Sequence, residues 1–155
     1  MARSKKDKKA VWWTFGLLAS IVYLKRRINS VGVVLQNLGF ISMDSATRTA
    51  SLMLTLGVKF PLPFGLRFKR IKGNLYIMGK RVAEFNHVVD RYIESDKITT
   101  ISLPIVVHYD ELANGVLANI QTGNIQTLLI QLEADISTTL LPVYIRKTLT
   151  YNELV

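Results

Sequence analysis

Hydrophobic and polar residues alternate on both sides of a short segment, residues 60–66, that contains two prolines and a glycine. Before it, apolar side chains occupy every second position from Leu52 to Val58; after it, Leu66 and Phe68 alternate with basic residues. A period of two is typical of a β-strand with one buried face. Proline lacks an amide hydrogen and fixes its own φ, so paired prolines do not lie within a central strand. The pattern therefore predicts two antiparallel strands joined by a corner at 60–66.

Further strands are predicted wherever the alternation returns between turn-forming residues. The predicted strands cover residues 28–41, 48–60, 66–78, 81–85, 88–95, 99–109, 125–136 and 140–151, with polar or glycine turns at 42–47 and 79–80. The inward parity changes between Phe68 and Ile71, which predicts a bulge near Lys69 and Arg70 or a break at Gly73. The 88–95 segment is the weakest of these and is either a strand or an excursion between strands, which leaves about seven strands in all.

One internal segment has helical spacing. Leu112, Val116 and Ile120 would share one helix face, and Asp110 is suited to cap it, which predicts a short helix near 110–120. Pro104 predicts an edge strand or a bulge at 99–109. The fold class that follows is all-β: an antiparallel β-sandwich of about seven strands at residues 31–155, preceded by a separate segment at 1–30. The core is expected to contain Leu54, Leu56, Phe68, Leu75, Ile77, Ile105, Ile130 and Val143.

Residues 10–24 form an apolar run of fifteen residues without a charged side chain. As a helix this run would be about 22 Å long, shorter than the roughly 30 Å hydrocarbon core of a bilayer. Flanking basic side chains can reach the headgroups and a bilayer can thin locally, so a short transmembrane helix remains open. The predicted anchor residues are Trp12, Trp13, Phe15, Gly16, Leu17, Leu18, Ser20, Ile21, Tyr23 and Leu24, and the flanking basic residues are Lys5, Lys6, Lys8, Lys9, Lys25, Arg26 and Arg27.

Other interpretations of this run compete with a membrane anchor. A cleaved signal peptide would need small residues at its end, where this chain has Lys25, Arg26 and Arg27. A helix lying flat on a membrane would need a polar face, which the run lacks. Burial against other proteins in a large assembly is the main alternative, because apolar helices of this length are also common in protein interiors.

Charge is concentrated in the same part of the chain. Residues 1–31 contribute +7 of the net +9, whereas the following 124 residues contribute only +2. The nearly neutral body does not favour nucleic acid as a partner, although the basic N-terminal tail leaves that contact open. The chain has no cysteine, which excludes disulfides and thiolate metal sites.

Three segments of the body, residues 61–66, 71–76 and 79–83, resemble the late-embryogenesis-abundant type 2 family, also called the water-stress and hypersensitive-response (WHy) domain. In that family an apolar strand leads into a proline corner followed by Phe-Gly, and then into a Leu-Tyr-x-x-Gly-x-x-Val-Ala hairpin; here Leu75 to Ala83 follows the hairpin pattern. Phe60 stands where the family has asparagine. The resemblance covers about residues 47–151 and implies a fibronectin III-like or immunoglobulin-like sandwich with one short helix, often membrane-tethered, without catalytic activity and associated with stress protection.

Catalytic and metal-binding patterns are weak in this sequence. His108 and Asp110 would share one strand face, but two ligands from one segment are a slight basis for a metal site. Neither a Gly-x-Ser-x-Gly elbow nor a phosphate-binding glycine loop is present. The carboxylates of Glu84, Asp90, Glu94 and Asp96 are expected in a solvated loop. We therefore predict no catalytic residue, no metal, no cofactor and no enzymatic activity; an enzyme would have to gather His108 with those carboxylates in one pocket.

A basic group in the body is the remaining polar feature. It consists of Arg67, Lys69, Arg70, Lys72, Lys80 and Arg81. These side chains could contact an anionic surface such as lipid headgroups, or they could form a solvated face that protects strand edges from aggregation. Single-stranded nucleic acid would need exposed stacking aromatics among them, and Phe68 is expected to point inward.

Two functional hypotheses follow. The first is a non-enzymatic, membrane-associated β-sandwich with a binding, protective or structural role, whose partners are lipid and other protein subunits. The second is a structural component of a large assembly, such as a virion or a secretion apparatus, in which lipid or protein buries the N-terminal helix. Homo-oligomers are compatible with both.

Overall fold

The computed structural model describes residues 5–28, 30–140 and 142–149, and it describes side chains from residue 11 onward, except at 28. Two α-helices and seven β-strands lie in this part of the chain. They are α1 Lys5–Ile28, β1 Gly32–Asp44, β2 Thr49–Lys59, β3 Leu66–Ile77, β4 Lys80–Ile93, β5 Ile98–His108, α2 Val116–Gln121, β6 Ile130–Thr138 and β7 Val143–Leu149. Short 3-10 turns lie at Tyr109–Glu111 and Ile125–Thr127.

The strands form two antiparallel sheets with one hydrophobic core. Sheet A has the order β1-β2-β5 and sheet B the order β4-β3-β6-β7. Inward-facing residues from all seven strands belong to one buried cluster, so the two sheets form a sandwich. The eight residues expected in the core are each at most 3% exposed, which confirms that part of the prediction. The all-β sandwich and its seven strands are confirmed as well.

Several predicted strand boundaries were wrong. The segment at 88–95 is not a separate strand, because β4 runs from Lys80 through to Ile93 and takes up a positive φ of 45° at Asp90. The turn before it lies at Met78 and Gly79, both with positive φ (53° and 80°), one residue earlier than predicted. β1 extends to Asp44, so the polar turn at 42–47 moves to 45–48. Similarly, the strand predicted from 125 begins at Ile130, after a 3-10 turn.

The internal helix is shorter than predicted. α2 covers only Val116–Gln121, and Gly115 stands at its N-cap with a φ of 83°. Glycine adopts this left-handed conformation readily, but the conformation does not fit inside a right-handed helix. Gly115 therefore precedes the helix and does not lie within it. Asp110 caps nothing here: it lies in the preceding 3-10 turn and forms an ion pair with Arg48 at 3.7 Å.

Two other local predictions are settled by the strand register. The pairing of β3 with both neighbours shifts between Phe68 and Arg70, which confirms the bulge. Gly73, the alternative break, lies within β3, where a side chain would overlap the Glu133 carbonyl oxygen of β6. Pro104 lies in β5, an edge strand of sheet A, as predicted.

The antiparallel register brings several loops to the end of the sandwich where α1 joins, here called the proximal end. Gly32, Lys59 and Ile98 lie at this end of sheet A by their pairing. The corner at 60–65 and the turn at 94–97 connect the two sheets there. The Asp96 amide donates to the Phe60 carbonyl at 3.3 Å, and the Thr139 amide donates to the Arg67 carbonyl at 3.1 Å. The hairpin at 78–79 and the turn at 45–48 lie at the opposite, distal end.

Candidate functional site

α1 exposes apolar side chains on every side. The run at 10–24 contains no proline and no charged residue, and the Ser20 hydroxyl donates to the Gly16 carbonyl at 2.8 Å, within the helix. Trp12 and Trp13 are 78% and 76% exposed although they point in different directions around the helix axis. The remaining exposed apolar residues of the helix are Val11, Phe15, Leu17, Leu18, Ile21, Val22 and Tyr23. Contiguous apolar surface of this size normally marks a contact with a protein or a membrane.

The last turn of α1 is attached to the proximal end of the sandwich. Leu24 is half-buried against the core, unlike the residues before it. Arg27 lies over the Tyr23 ring, 5.3 Å from its centroid, and its Nη1 donates to the Pro61 carbonyl at 3.4 Å. The Ser30 hydroxyl and amide both donate to the Arg27 carbonyl, at 2.7 and 3.1 Å, and close the helix end.

Within the described residues, neither helix combines the length and the apolar character needed to cross a membrane. The structure thus gives no support to the transmembrane helix that the sequence left open.

Basic residues accompany the apolar run at its C-terminal end. Lys25, Arg26 and Arg27 form the last turn of α1 and are exposed. Their position also suits the negative end of the helix dipole. Lys5, Lys6, Lys8 and Lys9, which were predicted to flank the other end, lie in the part of α1 whose side chains the structure does not describe.

The basic group of the body is divided by the fold. Arg67 binds Asp90 through two hydrogen bonds, Nε to Oδ1 at 2.6 Å and Nη2 to Oδ2 at 3.0 Å. This pairing lowers the pKa of Asp90 and raises that of Arg67. Arg70 donates to the Asn86 side chain at 3.0 Å, and Lys72 lies opposite Asp135 in the register.

Of the three remaining members of that group, Lys80 and Arg81 begin β4 at the distal end, and Lys69 lies at the bulge of β3 between Phe68 and Arg70. The six residues therefore do not form one continuous surface, and their contact with an anionic partner stays a prediction.

His108 and Asp96, two residues with candidate chemistry, lie at opposite ends of the sandwich. His108 pairs with Thr49 at the distal end. Asp96 lies at the proximal end, where its carboxylate forms an ion pair with the Lys59 ammonium at 3.4 Å. His87 lines an open groove of about 850 Å³ between the edges of β4 and β5. Across the described residues, no three histidine or carboxylate side chains are grouped to hold a metal ion. The structure thus separates His108 from Asp96, two of the residues that the enzyme hypothesis would have to bring together.

One cluster on the outer face of sheet B was not predicted. Glu133 accepts hydrogen bonds from the hydroxyls of Tyr144 and Tyr76, at 2.5 and 3.2 Å. The bond from Tyr144 is the main cause of the lowered pKa of Glu133, and in return it raises the pKa of Tyr144. The three residues lie on β6, β7 and β3, so only the strand order brings them together. The outward parity of Tyr144 was the only signal in the sequence.

Comparisons with known proteins concern the fold. No family model matches the chain, and no curated protein sequence matches it. The solution structure of AT1g01470 from Arabidopsis thaliana is similar with a TM-score of 0.55 and 14% identity, over 82% of this chain and 87% of that one. A "putative late embryogenesis abundant (LEA) protein", At2g46140.1, gives a TM-score of 0.45 at 13% identity, covering 98% and 96%.

A crystal structure of an Archaeoglobus fulgidus protein gives a TM-score of 0.41 at 11% identity, covering 81% of this chain and 98% of that one. At identities this low, a likeness concerns the fold alone. Of the three, the Arabidopsis protein AT1g01470 carries the likeness, because its TM-score exceeds 0.5. It supports the sandwich architecture and leaves the function to be argued from the chain itself.

Proposed function

We propose that this protein is a non-enzymatic β-sandwich that α1 tethers to membranes by burying its apolar surface in lipid. The observation that carries the proposal is the exposure of Trp12, Trp13 and their apolar neighbours on all sides of one helix. Leaving such side chains in water is unfavourable by about 25 cal/mol per Å² of apolar surface. Lipid can cover apolar side chains on several sides of a helix, whereas a groove on one protein would cover a single face.

Charge and aromatic placement support lipid as the partner. Lys25, Arg26 and Arg27 follow the apolar run directly, and basic residues next to a membrane gain about 1 kcal/mol each from anionic headgroups. Trp12, Trp13 and Tyr23 lie toward the two ends of the run, where aromatic rings favour the membrane interface.

The same proposal places the body of the chain, from residue 47 to 151, in the WHy-type family. The prolines and glycine of the 60–66 segment form a crossing between the sheets, and the motif at 75–83 forms the β3–β4 hairpin, as that resemblance implies. A fibronectin III-like or immunoglobulin-like type of sandwich, and a protective or binding role for the body, belong to the same proposal. The alternative hypothesis is that other proteins in a large assembly, and not lipid, bury α1.

The test is partition onto vesicles of phosphatidylcholine and phosphatidylserine, compared between the natural chain and Leu17→Asp/Leu18→Asp. Both tryptophans of the chain lie in α1, so their emission reports helix insertion without a label. We expect a blue shift for the natural chain, and a partition coefficient lower by at least ~100-fold for the variant, because buried aspartate is costly in lipid. The control, Val88→Asp/Val106→Asp, places two aspartates at exposed positions of the sandwich and is expected to bind normally.

Failure of the natural chain to bind vesicles would overturn lipid tethering. If, in addition, it sedimented as a large particle that the Leu17→Asp/Leu18→Asp variant dissolved, α1 would be buried by protein.

A further inference from the structure

We infer that the proximal end of the sandwich is a second lipid-contacting surface, formed by Phe64, Tyr92 and Leu140, here called the rim. The inference rests on the proposed function and adds a partner surface to it. These three side chains are 41%, 63% and 52% exposed, although each is large and apolar or aromatic. None of them lies in the apolar run of α1, and sequence patterning alone did not single them out.

The rim residues are neighbours through a chain of contacts. Phe64 precedes Gly65, where a side chain would overlap the Tyr92 hydroxyl, so Tyr92 lies directly over the corner. Tyr92 pairs with Arg67 across β3 and β4. The Arg67 carbonyl accepts the Thr139 amide at 3.1 Å, and Leu140 is the next residue. The three side chains therefore border one end of the sandwich.

The junction with α1 holds this end close to the proposed membrane contact. Arg27 donates to the carbonyl of Pro61, three residues before Phe64. Only residues 29–31 separate the end of α1 from the start of β1 at Gly32. Three extended residues span at most about 11 Å, so inserting α1 brings the rim to the headgroup region. Apolar side chains flanked by charge are suited to that region, and tyrosine is enriched there.

The charge of the proximal end favours an anionic membrane. Three carboxylates near this end are already in ion pairs: Asp90 with Arg67, Asp96 with Lys59, and Glu94 with Lys97. The exposed residues Lys25, Arg26, Arg27 and Lys69 add further positive charge to the same end. The distal end also exposes apolar side chains, Met43 and Leu129 among them, but α1 does not join there. That difference provides a matched control.

The experiment places a probe at the rim of the full chain. The protein has no natural cysteine, so Phe64→Cys can be labelled selectively with an environment-sensitive fluorophore, and Met43→Cys serves as the distal control. With phosphatidylcholine/phosphatidylserine vesicles we expect a blue shift and protection from acrylamide at position 64, and neither at position 43. The tryptophan emission of α1 is recorded in the same samples.

A second measurement uses substitution. We expect Phe64→Asp/Leu140→Asp to weaken vesicle partition by about tenfold or more, and Met43→Asp/Leu129→Asp to leave it unchanged. Circular dichroism checks that every variant retains its β-sheet spectrum. If the tryptophans respond but position 64 does not, the rim inference is overturned and the helix tether stands. If neither the tryptophans nor the probe at position 64 responds, the rim inference and the helix tether are both overturned. Equal responses at positions 64 and 43 would mean unspecific adsorption and would also overturn the rim inference.

Discussion

Gly73 is the residue that most narrowly limits the packing of sheet B. It faces Phe85 of β4 and Ala134 of β6, and a Cβ there would overlap the Glu133 carbonyl oxygen and lie 2.7 Å from the Ala134 Cα. Both obstacles are backbone atoms of a strand that is itself paired on its other side, so they cannot move aside cheaply. Glycine at this position lets the central strands of sheet B approach each other.

We therefore expect Gly73→Ala to lower the free energy of unfolding by ~1–3 kcal/mol, the usual cost of overpacking. Urea unfolding followed by circular dichroism measures it. The matched control is Gly32→Ala, also in a strand, where a Cβ would meet Lys59 at an ordinary 3.6 Å. Equal loss of stability in both variants would show that close packing against β6 is not the cause.

Glu133 is the residue whose titration reports the outer face of sheet B. Its carboxylate is stabilised as an anion chiefly by the Tyr144 hydroxyl, and also by Tyr76, so its pKa is lowered from the ordinary 4.5. A carboxyl with a lowered folded pKa contributes stability above its unfolded pKa. That contribution is lost as the pH falls through the folded pKa.

Removing the Tyr144 hydroxyl, the main donor to Glu133, tests whether this hydrogen bond lowers the pKa of Glu133. We expect Tyr144→Phe to raise the pKa of Glu133 toward 4.5 in an NMR titration of its side-chain carboxyl carbon, and to make unfolding stability less dependent on pH in the acid range. Tyr92→Phe, which removes a hydroxyl far from Glu133, is expected to change neither quantity. An unshifted Glu133 pKa in Tyr144→Phe would mean that the hydrogen bond does not set it.

Among the elements, the strands were predictable where alternation was regular and much less so at their ends. Leu52, Leu54 and Leu56 identify β2 because it is a central strand with one strictly buried face. β4 is an edge strand, and its alternation lapses near Val88, which is exposed, before the positive φ at Asp90. The sequence therefore divided one long strand into two, because an edge position tolerates outward apolar residues and irregular backbone.

The predicted bounds of the internal helix were wrong for a different reason. The apolar spacing from Leu112 to Ile120 is compatible with one helix. However, Gly115 adopts a left-handed φ, so the helix begins only after it, at Val116. Spacing alone carries no information on φ at a glycine, so a helix that includes it and a helix that it begins have the same pattern.

The candidate site was predictable in part. The apolar run of α1 is visible in composition alone, and the structure places its residues in one exposed helix. The rim and the Glu133 cluster were not visible, because Phe64, Tyr92 and Leu140 come from three separate loops and strands. Residues that are distant in sequence meet only through the sheet order, which single-sequence patterns do not specify.

At the scale of the whole molecule, α1 and the sandwich share few contacts. Leu24 is half-buried against the core and Arg27 binds the Pro61 carbonyl, whereas the preceding apolar residues extend into solvent. The sandwich, in contrast, closes on itself: Lys147 of β7 donates to the Val31 carbonyl, which joins the edges of the two sheets. The sandwich therefore holds most of the stabilising contacts, whereas under the proposed function α1 provides the main membrane attachment, and truncation can separate the two.

We expect residues 31–155 to fold without α1, because all seven strands and their shared core lie in this fragment. Circular dichroism should show a β-sheet spectrum, and urea unfolding should give a stability within ~1–2 kcal/mol of the full chain, since the loss is mainly the partial burial of Leu24. The fragment should remain monomeric in sedimentation without detergent and should bind phosphatidylserine vesicles far more weakly than the full chain, since it keeps only the rim. A full chain with Leu24→Ala separates that contact from the rest of α1: it should lose about as much stability as the fragment does and still bind vesicles. An unfolded or mainly helical fragment would show that α1 is part of the folding unit, and the division at residue 30 would then be wrong.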